Sequence, residues 1–322
     1  MNSLSNPIFH DADKARVWLE TRIWPNGVIC PHCGVVGKAT LMKGKTTRPG
    51  LYQCNSCRDP FTVTVGTLYE RSKIPLNKWL AATFLIMSSK KGISALQVGR
   101  MIGVSRKTAW FLCHRIRESL KNTDVTPMGG FGRIVEVDET YVGGKEANKH
   151  FSKRFDSGKS NGPWKLYKDK SPVVSLVERG KTVRSMHIPA VNNATLKPIL
   201  EKNLVKHTTL MTDSATYYTK AVNEMGGTVA HQSVNHSGGE YVRDKVWHTN
   251  TVENYFSILK RGIIGTFHHV SQQHLSRYIA EFDYRYNNRE GRGIGDMERF
   301  EKSVPGIVGK RLTYRRTGEA QA

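Results

Sequence analysis

Two pairs of cysteines near the N-terminus constrain the fold of this chain more than any other feature. Cys30 and Cys33 form one C-x-x-C pair, and Cys54 and Cys57 form a second pair after the intervening residues 34–53. Two such pairs at this separation are typical of a tetrahedral zinc site with four thiolate ligands, each pair lying on a tight turn. Apolar and polar residues alternate around the second pair, which predicts short strands. We therefore expect residues 1–70 to form a zinc ribbon that holds a structural Zn²⁺.

The alternative for the four cysteines is a pair of disulfides, which depends on the compartment of the protein. The N-terminal sequence M-N-S-L-S-N-P-I-F-H lacks the charged and then apolar order of a signal peptide, and no apolar run approaches 18 residues. The sequence therefore predicts a soluble, cytoplasmic, DNA-associated protein of a prokaryote with no membrane partner. A reducing cytoplasm disfavours disulfides. The fifth cysteine, Cys113, lies among apolar residues and is interpreted as a packed helical thiol.

The charge balance indicates the partner. Lysine and arginine number 49 against 27 acidic residues, so the formal net charge is +22. Such an excess in a chain of ordinary hydrophobic content favours a nucleic acid. A membrane surface is the alternative, but the sequence carries no lipidation signal.

Residues 71–126 have the periodicity of helices. Ser94 is placed to cap one short helix that ends near Gly103, and Ser105 is placed to cap the next. Two helices joined by such a turn predict a helix-turn-helix domain, in which the start of the second helix reaches DNA. The candidate DNA contacts are Arg106, Lys107 and Thr108. A plain helical bundle is the alternative interpretation.

From about residue 130 the pattern changes to strands that alternate with helices. Strands are predicted at 133–142, 171–178, 181–191, 208–212 and 228–233, and helices at 194–204, after Ser214, at 250–262 and around 275–286. Asp138 lies near the end of the first strand, and Asp213 directly follows the fourth. Residues 145–170 are basic and aperiodic, which predicts a mobile loop that follows DNA.

The segment Trp247–Gly262 (W-H-T-N-T-V-E-N-Y-F-S-I-L-K-R-G) predicts an amphipathic helix that Thr249 or Asn250 can cap and Gly262 can end. Its polar face carries Asn250, Glu253, Ser257 and Lys260. Glu253 and Lys260 are two turns apart, about 10 Å along the axis. A carboxylate and a lysine at this spacing suit a metal ion beside a phosphate-bearing strand.

The chain resembles insertion-sequence transposases of the DDE type, in the ISXO-like group that joins an N-terminal zinc ribbon to a catalytic domain. The resemblance rests on the cysteine pairs, V-D-E-T-Y-V-G-G around Asp138, T-D-S around Asp213 and H-T-N-T-V-E-N-Y-F-S-I-L-K-R-G around Glu253, and it extends to about Asn288. It implies an α/β fold class. A ribonuclease H-like catalytic domain, a mixed sheet flanked by helices, would occupy residues 130–290. It would follow the zinc ribbon and the helix-turn-helix domain and precede a basic C-terminal tail at 291–322.

The resemblance also implies roles for single residues. Asp138, Asp213 and Glu253 would hold Mg²⁺ or Mn²⁺, and Lys260 with its neighbour Arg261 would contact the DNA strand. Part of the group carries asparagine at the third acidic position, so whether Asn250 or Glu253 is the closer third ligand stays open. Glu253 is favoured because a carboxylate suits Mg²⁺ better.

The implied function is transposition. Two divalent ions can clamp both sides of a phosphodiester displacement, so no protein nucleophile is needed. The enzyme would bind terminal inverted repeats, cleave them and transfer the 3′ ends to target DNA, acting as a homo-oligomer on the DNA. The alternatives are a DNA-binding regulator with an inactive catalytic domain, and a nuclease or resolvase of the same fold.

Overall fold

The computed structural model describes residues 3–121, 126–144 and 170–313. The chain divides into two compact units: the first comprises Met1–Lys121 and Asn288–Ala322, and the second comprises Asn122–Asn287. The predicted basic loop at 145–170 lies, apart from its last residue, outside the described residues.

The helices and strands occur in the predicted order. The helices are α1 (Ala12–Ile23), α2 (Leu76–Ser88), α3 (Ala95–Ile102), α4 (Arg106–Ser119), α5 (Asn193–Asn203), α6 (Thr216–Asn223), α7 (Asn250–Gly262), α8 (Gln272–Asn287) and α9 (Asp296–Ser303). The strands are β1 (Ala39–Leu41), β2 (Tyr52–Cys54), β3 (Pro60–Phe61), β4 (Ile134–Val142), β5 (Ser171–Glu178), β6 (Val183–His187), β7 (Thr209–Asp213) and β8 (Ala230–Val234). In the described parts of the chain, no helix is long and apolar enough to span a membrane.

The ribbon of the first unit is a small antiparallel sheet in the order β1-β2-β3. Phe61 on β3 is fully buried, stacks on Tyr52 and meets Trp24 edge to face. These rings make up much of the core of a region that has little other apolar surface. The predicted short strands around the second cysteine pair are therefore confirmed.

Local side-chain signals set the ends of α3 and α4. The Ser94 hydroxyl accepts a hydrogen bond from the Gln97 N–H at 3.2 Å, and the Ser105 hydroxyl accepts one from the Thr108 N–H at 3.2 Å. Gly103 ends α3 with a φ of 65°, a left-handed conformation that favours glycine. The predicted helix boundaries are thus confirmed, because each depends on a bond that the residue itself makes.

The expected basic tail at 291–322 is wrong for much of its described part. Residues 296–303 form α9, and its Phe300 is fully buried against the rings of Trp18, Phe9 and Phe84. The Arg299 guanidinium donates a hydrogen bond to the Met87 carbonyl at 3.0 Å. An eight-residue helix with one aromatic anchor has too little periodicity to stand out among charged neighbours. Contact with distant residues therefore orders this segment.

The second unit is built on a five-stranded mixed sheet in the order β6-β5-β4-β7-β8. Strands β4, β5 and β6 are antiparallel neighbours, whereas β7 runs parallel to β4 and β8 parallel to β7. Helices α5 and α6 cover one core, and α7 and α8 cover a second core. The predicted succession of strands and helices is confirmed, and it places Asp138 and Asp213 on neighbouring strands.

The beginnings of two helices differ in detail from expectation. The cap of α5 is Asn192, whose side chain accepts from the Thr195 N–H at 2.9 Å; Asn193, which directly precedes the predicted helix at 194–204, is the first helical residue. Thr249 precedes α7 but makes no side-chain cap bond to the helix backbone. The first N–H groups of α7 therefore need another partner.

Candidate metal centres

The four cysteines of the ribbon converge on one point. Their Sγ atoms all lie within 4.8 Å of one another, with Cys30 and Cys57 at 3.7 Å and Cys33 and Cys54 at 3.6 Å. A tetrahedral zinc ion with Zn–S bonds of about 2.3 Å would separate its sulfur ligands by about 3.8 Å. All four cysteines are free, so the disulfide alternative is wrong. The donor set and its spacing fit a structural Zn²⁺.

Two equivalent turns bring the sulfur atoms together. The Gly34 N–H bonds to the Cys30 carbonyl at 2.9 Å, and the Arg58 N–H bonds to the Cys54 carbonyl at 3.0 Å. Gly34 and Arg58 both adopt positive φ angles, 76° and 66°. The backbone N–H of Cys57 lowers the pKa of Cys54 to about 6, which favours the thiolate that zinc requires. The second turn thus favours the thiolate at Cys54, whereas the pKa values of Cys33 and Cys57 are raised by burial and by hydrogen bonds with neighbouring thiols.

The first two predicted acids lie at the same edge of the large sheet. Glu136 on β4 is level with Met211 on β7. Continuing this parallel register by two residues brings Asp138 level with Asp213, on strands that run about 4.8 Å apart. Asp213 also accepts a bond from the Ala215 N–H at 3.1 Å, which shapes the turn into α6. This edge therefore presents two carboxylates side by side.

Burial and neighbouring charges act on Asp138. Burial, together with repulsion from Glu139, Asp213 and Glu253, raises the pKa of Asp138 to about 8. Repulsion from Glu253 shows that the carboxylate of α7 lies close enough to add to the local field. A site where several carboxylates repel one another in a partly desolvated place is one where a divalent cation is favoured. The charges and the oxygen donors fit Mg²⁺ or Mn²⁺.

Glu253 is nonetheless turned toward the chain that precedes α7. Its Oε1 accepts a bond from the Thr249 hydroxyl at 3.0 Å and lies 3.5 Å from Nε2 of His236. Within residues 3–121, 126–144 and 170–313, the cysteines form the only set of three or more potential ligands within 4.8 Å. The predicted acids are therefore brought to one region, but not to the close spacing of the sulfur atoms.

The remaining residues predicted on α7 are exposed. The Asn250 N–H bonds to Nδ1 of His248 at 3.3 Å, and the Arg261 Nε donates to the Ser257 carbonyl at 3.1 Å. Lys260 follows Glu253 by two helical turns, about 10 Å along the axis. The two cations thus lie at the far end of the helix from Glu253.

The candidate DNA contacts of the first unit lie in the first turn of α4. Arg106 and Lys107 are exposed there. The Thr108 hydroxyl instead lies 2.9 Å from the Ser105 hydroxyl, within the helix cap. The long basic side chains are therefore better placed than Thr108 to reach a phosphate.

Sequence reasoning missed a half-buried carboxylate, Glu139, directly after Asp138. The Tyr217 hydroxyl donates to Glu139 at 2.5 Å, and the Tyr218 hydroxyl donates to it at 2.7 Å. Burial raises the pKa of Glu139. The signals were the neighbouring acids Asp138–Glu139 and the tyrosine pair, but neither pattern says that the two meet in the folded chain.

Comparisons with known proteins agree with this organisation. An ISXO2-like transposase domain matches residues 129–287, and a transposase zinc-ribbon domain matches residues 11–60. An uncharacterized protein in the transposable element ISH50 of Halobacterium salinarum is 29% identical over 268 residues, covering 81% of this chain and 86% of the relative.

Solved complexes of the Mos1 transposase are also similar, but weakly. The Mos1 strand transfer complex shows 14% identity over 73% of this chain and 79% of that chain, with a TM-score of 0.24. The Mos1 paired-end complex with the left transposon end shows 15% identity over 72% and 80%, with a TM-score of 0.22. Such values support no conclusion about this fold.

The two domain matches occur in the order that the motifs predicted, zinc ribbon first and strand-bearing domain second. The match to the halobacterial protein covers most of this chain and most of that relative. The chain therefore carries an ISXO2-like transposase domain at residues 129–287, preceded by a transposase zinc-ribbon domain at residues 11–60.

Proposed function

We propose that this transposase cleaves DNA at the ends of its element and transfers the 3′ ends to target DNA, using Mg²⁺ or Mn²⁺ held by Asp138, Asp213 and Glu253. The observation that carries the proposal is the place where β7 ends, at Asp213, beside the middle of β4, which carries Asp138. Two carboxylates lie level there, and the charge of a third helps to raise the pKa of Asp138.

The protein groups have separate tasks in this mechanism. Divalent ions, when bound, supply activation of the attacking water or 3′-hydroxyl and stabilise the leaving oxygen. Asp138 would release its proton to solvent on binding an ion, because its pKa, raised to about 8, otherwise favours the protonated form at neutral pH. Lys260 and Arg261 hold the phosphate backbone beside Glu253 by charge attraction.

The proposal extends to fold and domains. The order of the large sheet, with three antiparallel strands followed by two parallel ones, supports a ribonuclease H-like catalytic domain. Helices α3 and α4 are proposed as a helix-turn-helix. Its support is the close approach of the helices, since a Cβ on Gly99 would lie 3.0 Å from that of Ala109. Arg106 and Lys107 would contact the DNA ends.

DNA is the proposed partner, both as terminal inverted repeats and as target. A net charge of +22 supports phosphate binding, and strand transfer from two ends implies a homo-oligomer on the DNA. The halobacterial relative supports a prokaryotic source and a DNA-associated location.

The test uses purified protein, Mg²⁺, DNA that carries the element's own ends, and a supercoiled target. Wild type is compared with Asp138→Asn and Glu253→Gln, and with Asp244→Asn as a surface control in the same unit. Asp244 has a positive φ that asparagine tolerates. We expect joined products from wild type and the control only. Cleavage without joining would instead identify a nuclease, and zinc-dependent binding without strand breakage a regulator.

A further inference from the structure

Glu136 is a fully buried carboxylate on β4, two residues before Asp138. Its Oε2 accepts hydrogen bonds from the N–H groups of Thr251 at 2.8 Å and Val252 at 2.9 Å. Its Oε1 accepts from the Thr251 hydroxyl at 2.8 Å. The first N–H groups of a helix lack partners within the helix, and its N-terminus favours a negative charge. Glu136 therefore caps α7 from a different element of the fold.

The residue that would ordinarily cap this helix is engaged elsewhere. The Thr249 hydroxyl donates to Glu253 and makes no bond to the backbone of α7. Of the N–H groups that begin α7, the nearby His248 accepts that of Asn250, at 3.3 Å, and the next two are held by β4, the strand that carries Asp138.

Arg179 completes the arrangement by balancing the buried charge. Its Nε donates to Glu136 Oε1 at 2.6 Å, its Nη1 to the Val246 carbonyl at 2.7 Å and its Nη2 to the His248 carbonyl at 2.8 Å. The Arg179 N–H also bonds to the Ile134 carbonyl on β4 at 3.1 Å. One guanidinium therefore ties the chain just before α7 to the base of β4.

Glu136 is not itself placed to be a metal ligand. Both of its oxygens already accept bonds, Oε1 from Arg179 and Thr251 and Oε2 from two backbone N–H groups. A fully buried carboxylate with each oxygen doubly bonded has its acceptor capacity filled. Its effect on the site must come through the elements that it joins.

We propose that Glu136 is a positioning residue that holds Glu253 in place relative to Asp138. It thereby sets the affinity for divalent ions of the site formed by Asp138, Asp213 and Glu253. This inference rests on the proposed metal site. Glu136 is two residues from Asp138, and its partner Val252 directly precedes Glu253. A slip of α7 by one turn would displace the carboxylate by about 5.4 Å, farther than a metal–oxygen bond can stretch.

The experiment compares Glu136→Gln with Glu178→Gln in the full chain. Glu178 is a matched control: it is buried on β5 of the same sheet and paired with Arg133 and Lys181, both at 3.0 Å, without a bond to α7. Mn²⁺ is titrated by electron paramagnetic resonance, and hydrogen exchange is followed across residues 247–256. Loss of an outer partner typically weakens metal binding about 10–100-fold. We expect that loss of Mn²⁺ affinity and faster exchange in Glu136→Gln, and neither change in Glu178→Gln.

Asp138→Asn separates this inference from the proposal beneath it. If Asp138→Asn abolishes Mn²⁺ binding while Glu136→Gln binds as wild type, the positioning role is wrong and the metal site stands. If Asp138→Asn binds Mn²⁺ as wild type, the metal site fails and the positioning role with it. Arg179→Lys is the second variant in case Glu136→Gln does not fold, because lysine keeps the charge but cannot bridge both carbonyls. It should weaken Mn²⁺ binding in the same direction, and unchanged affinity would overturn the inference.

Discussion

The two candidate metal centres of this chain are built in opposite ways. In the ribbon, two equivalent backbone turns hold four sulfur atoms within 4.8 Å of one another. In the second unit, the acids come from two strands and a helix far apart in sequence, and Glu253 bonds to Thr249. A closed structural site can be encoded in short local segments. The acidic site, for which DNA chemistry is proposed, is assembled from distant elements, and its geometry depends on what holds those elements in place.

The largest expected effect is the unfolding of the zinc ribbon. Cys54→Ser removes one of four ligands, and because structural zinc binding contributes about 10–16 kcal/mol in small zinc domains, we expect loss of zinc and unfolding of the ribbon. Zinc content by mass spectrometry and near-ultraviolet circular dichroism measure this. Cys113→Ser is the matched control, since Cys113 lies on α4 outside the cluster. Full zinc content in Cys54→Ser would show that the site is not the one described.

The next effect concerns the third ligand of the acidic site. Glu253→Gln should reduce the rate of strand transfer about 10³-fold, roughly 4 kcal/mol of transition-state stabilisation. Asn250→Ala should cost less than about tenfold, because a neutral amide offsets little of the charge on the ions. Single-turnover rates at saturating Mg²⁺ give the comparison. A larger loss in Asn250→Ala would assign the third position to Asn250.

A smaller effect separates DNA binding from chemistry. The double variant Arg106→Ala/Lys107→Ala should lower affinity for the element's ends roughly tenfold or more at 0.1 M salt, with the salt slope reduced by about 2. The control Lys14→Ala/Lys302→Ala removes the same charge from exposed positions of the same unit. Binding isotherms over a range of salt concentrations measure both. Equal losses in the two double variants would indicate a general charge effect and no contact at α4.

The smallest effect is the pH dependence of stability. Because the pKa of Asp138 is raised to about 8 from the ordinary 3.8, the folded chain keeps a proton that the unfolded chain has released. Between these values the unfolded state binds fewer protons, so the free energy of unfolding falls as pH rises. Asp138→Asn, which stays neutral, should show a flatter profile in urea unfolding at pH 5 and pH 8 without added divalent ions. Parallel profiles would contradict the raised pKa.

The sequence alone predicted those parts of the fold that depend on residues close together in the chain. The cysteine pairs, the caps Ser94 and Ser105, and the strand ending at Asp213 each have a local signal, and each lies where it was predicted. Glu136 had none, because its partners on α7 are more than a hundred residues away. Its position in an alternating strand predicted only a polar side chain on one face.

Parts of the site escaped prediction for the same reason. Glu139 is next to Asp138, yet its environment is set by two tyrosines on α6, which packs against the face of the sheet that Val135 and Val137 share. Phe300 lies in a segment of mostly charged residues, and only the rings of α1, α2 and the N-terminal segment show that it belongs to a core. Patterns along the chain indicate which residues are polar or apolar, but the identity of their partners is a property of the folded molecule.

The contacts of Phe300 bear on the order in which the protein is made. The second unit lies between the two sequence segments of the first. The aromatic cluster of the first unit therefore lacks the Phe300 ring until α9 has been translated. Domains commonly fold during synthesis, N-terminal parts first. Residues of α1 and α2 can therefore complete this core only after α9 has been made. A chain that stops before residue 300 would keep Asp138, Asp213 and Glu253 but lack the ring that fills the aromatic core of the first unit.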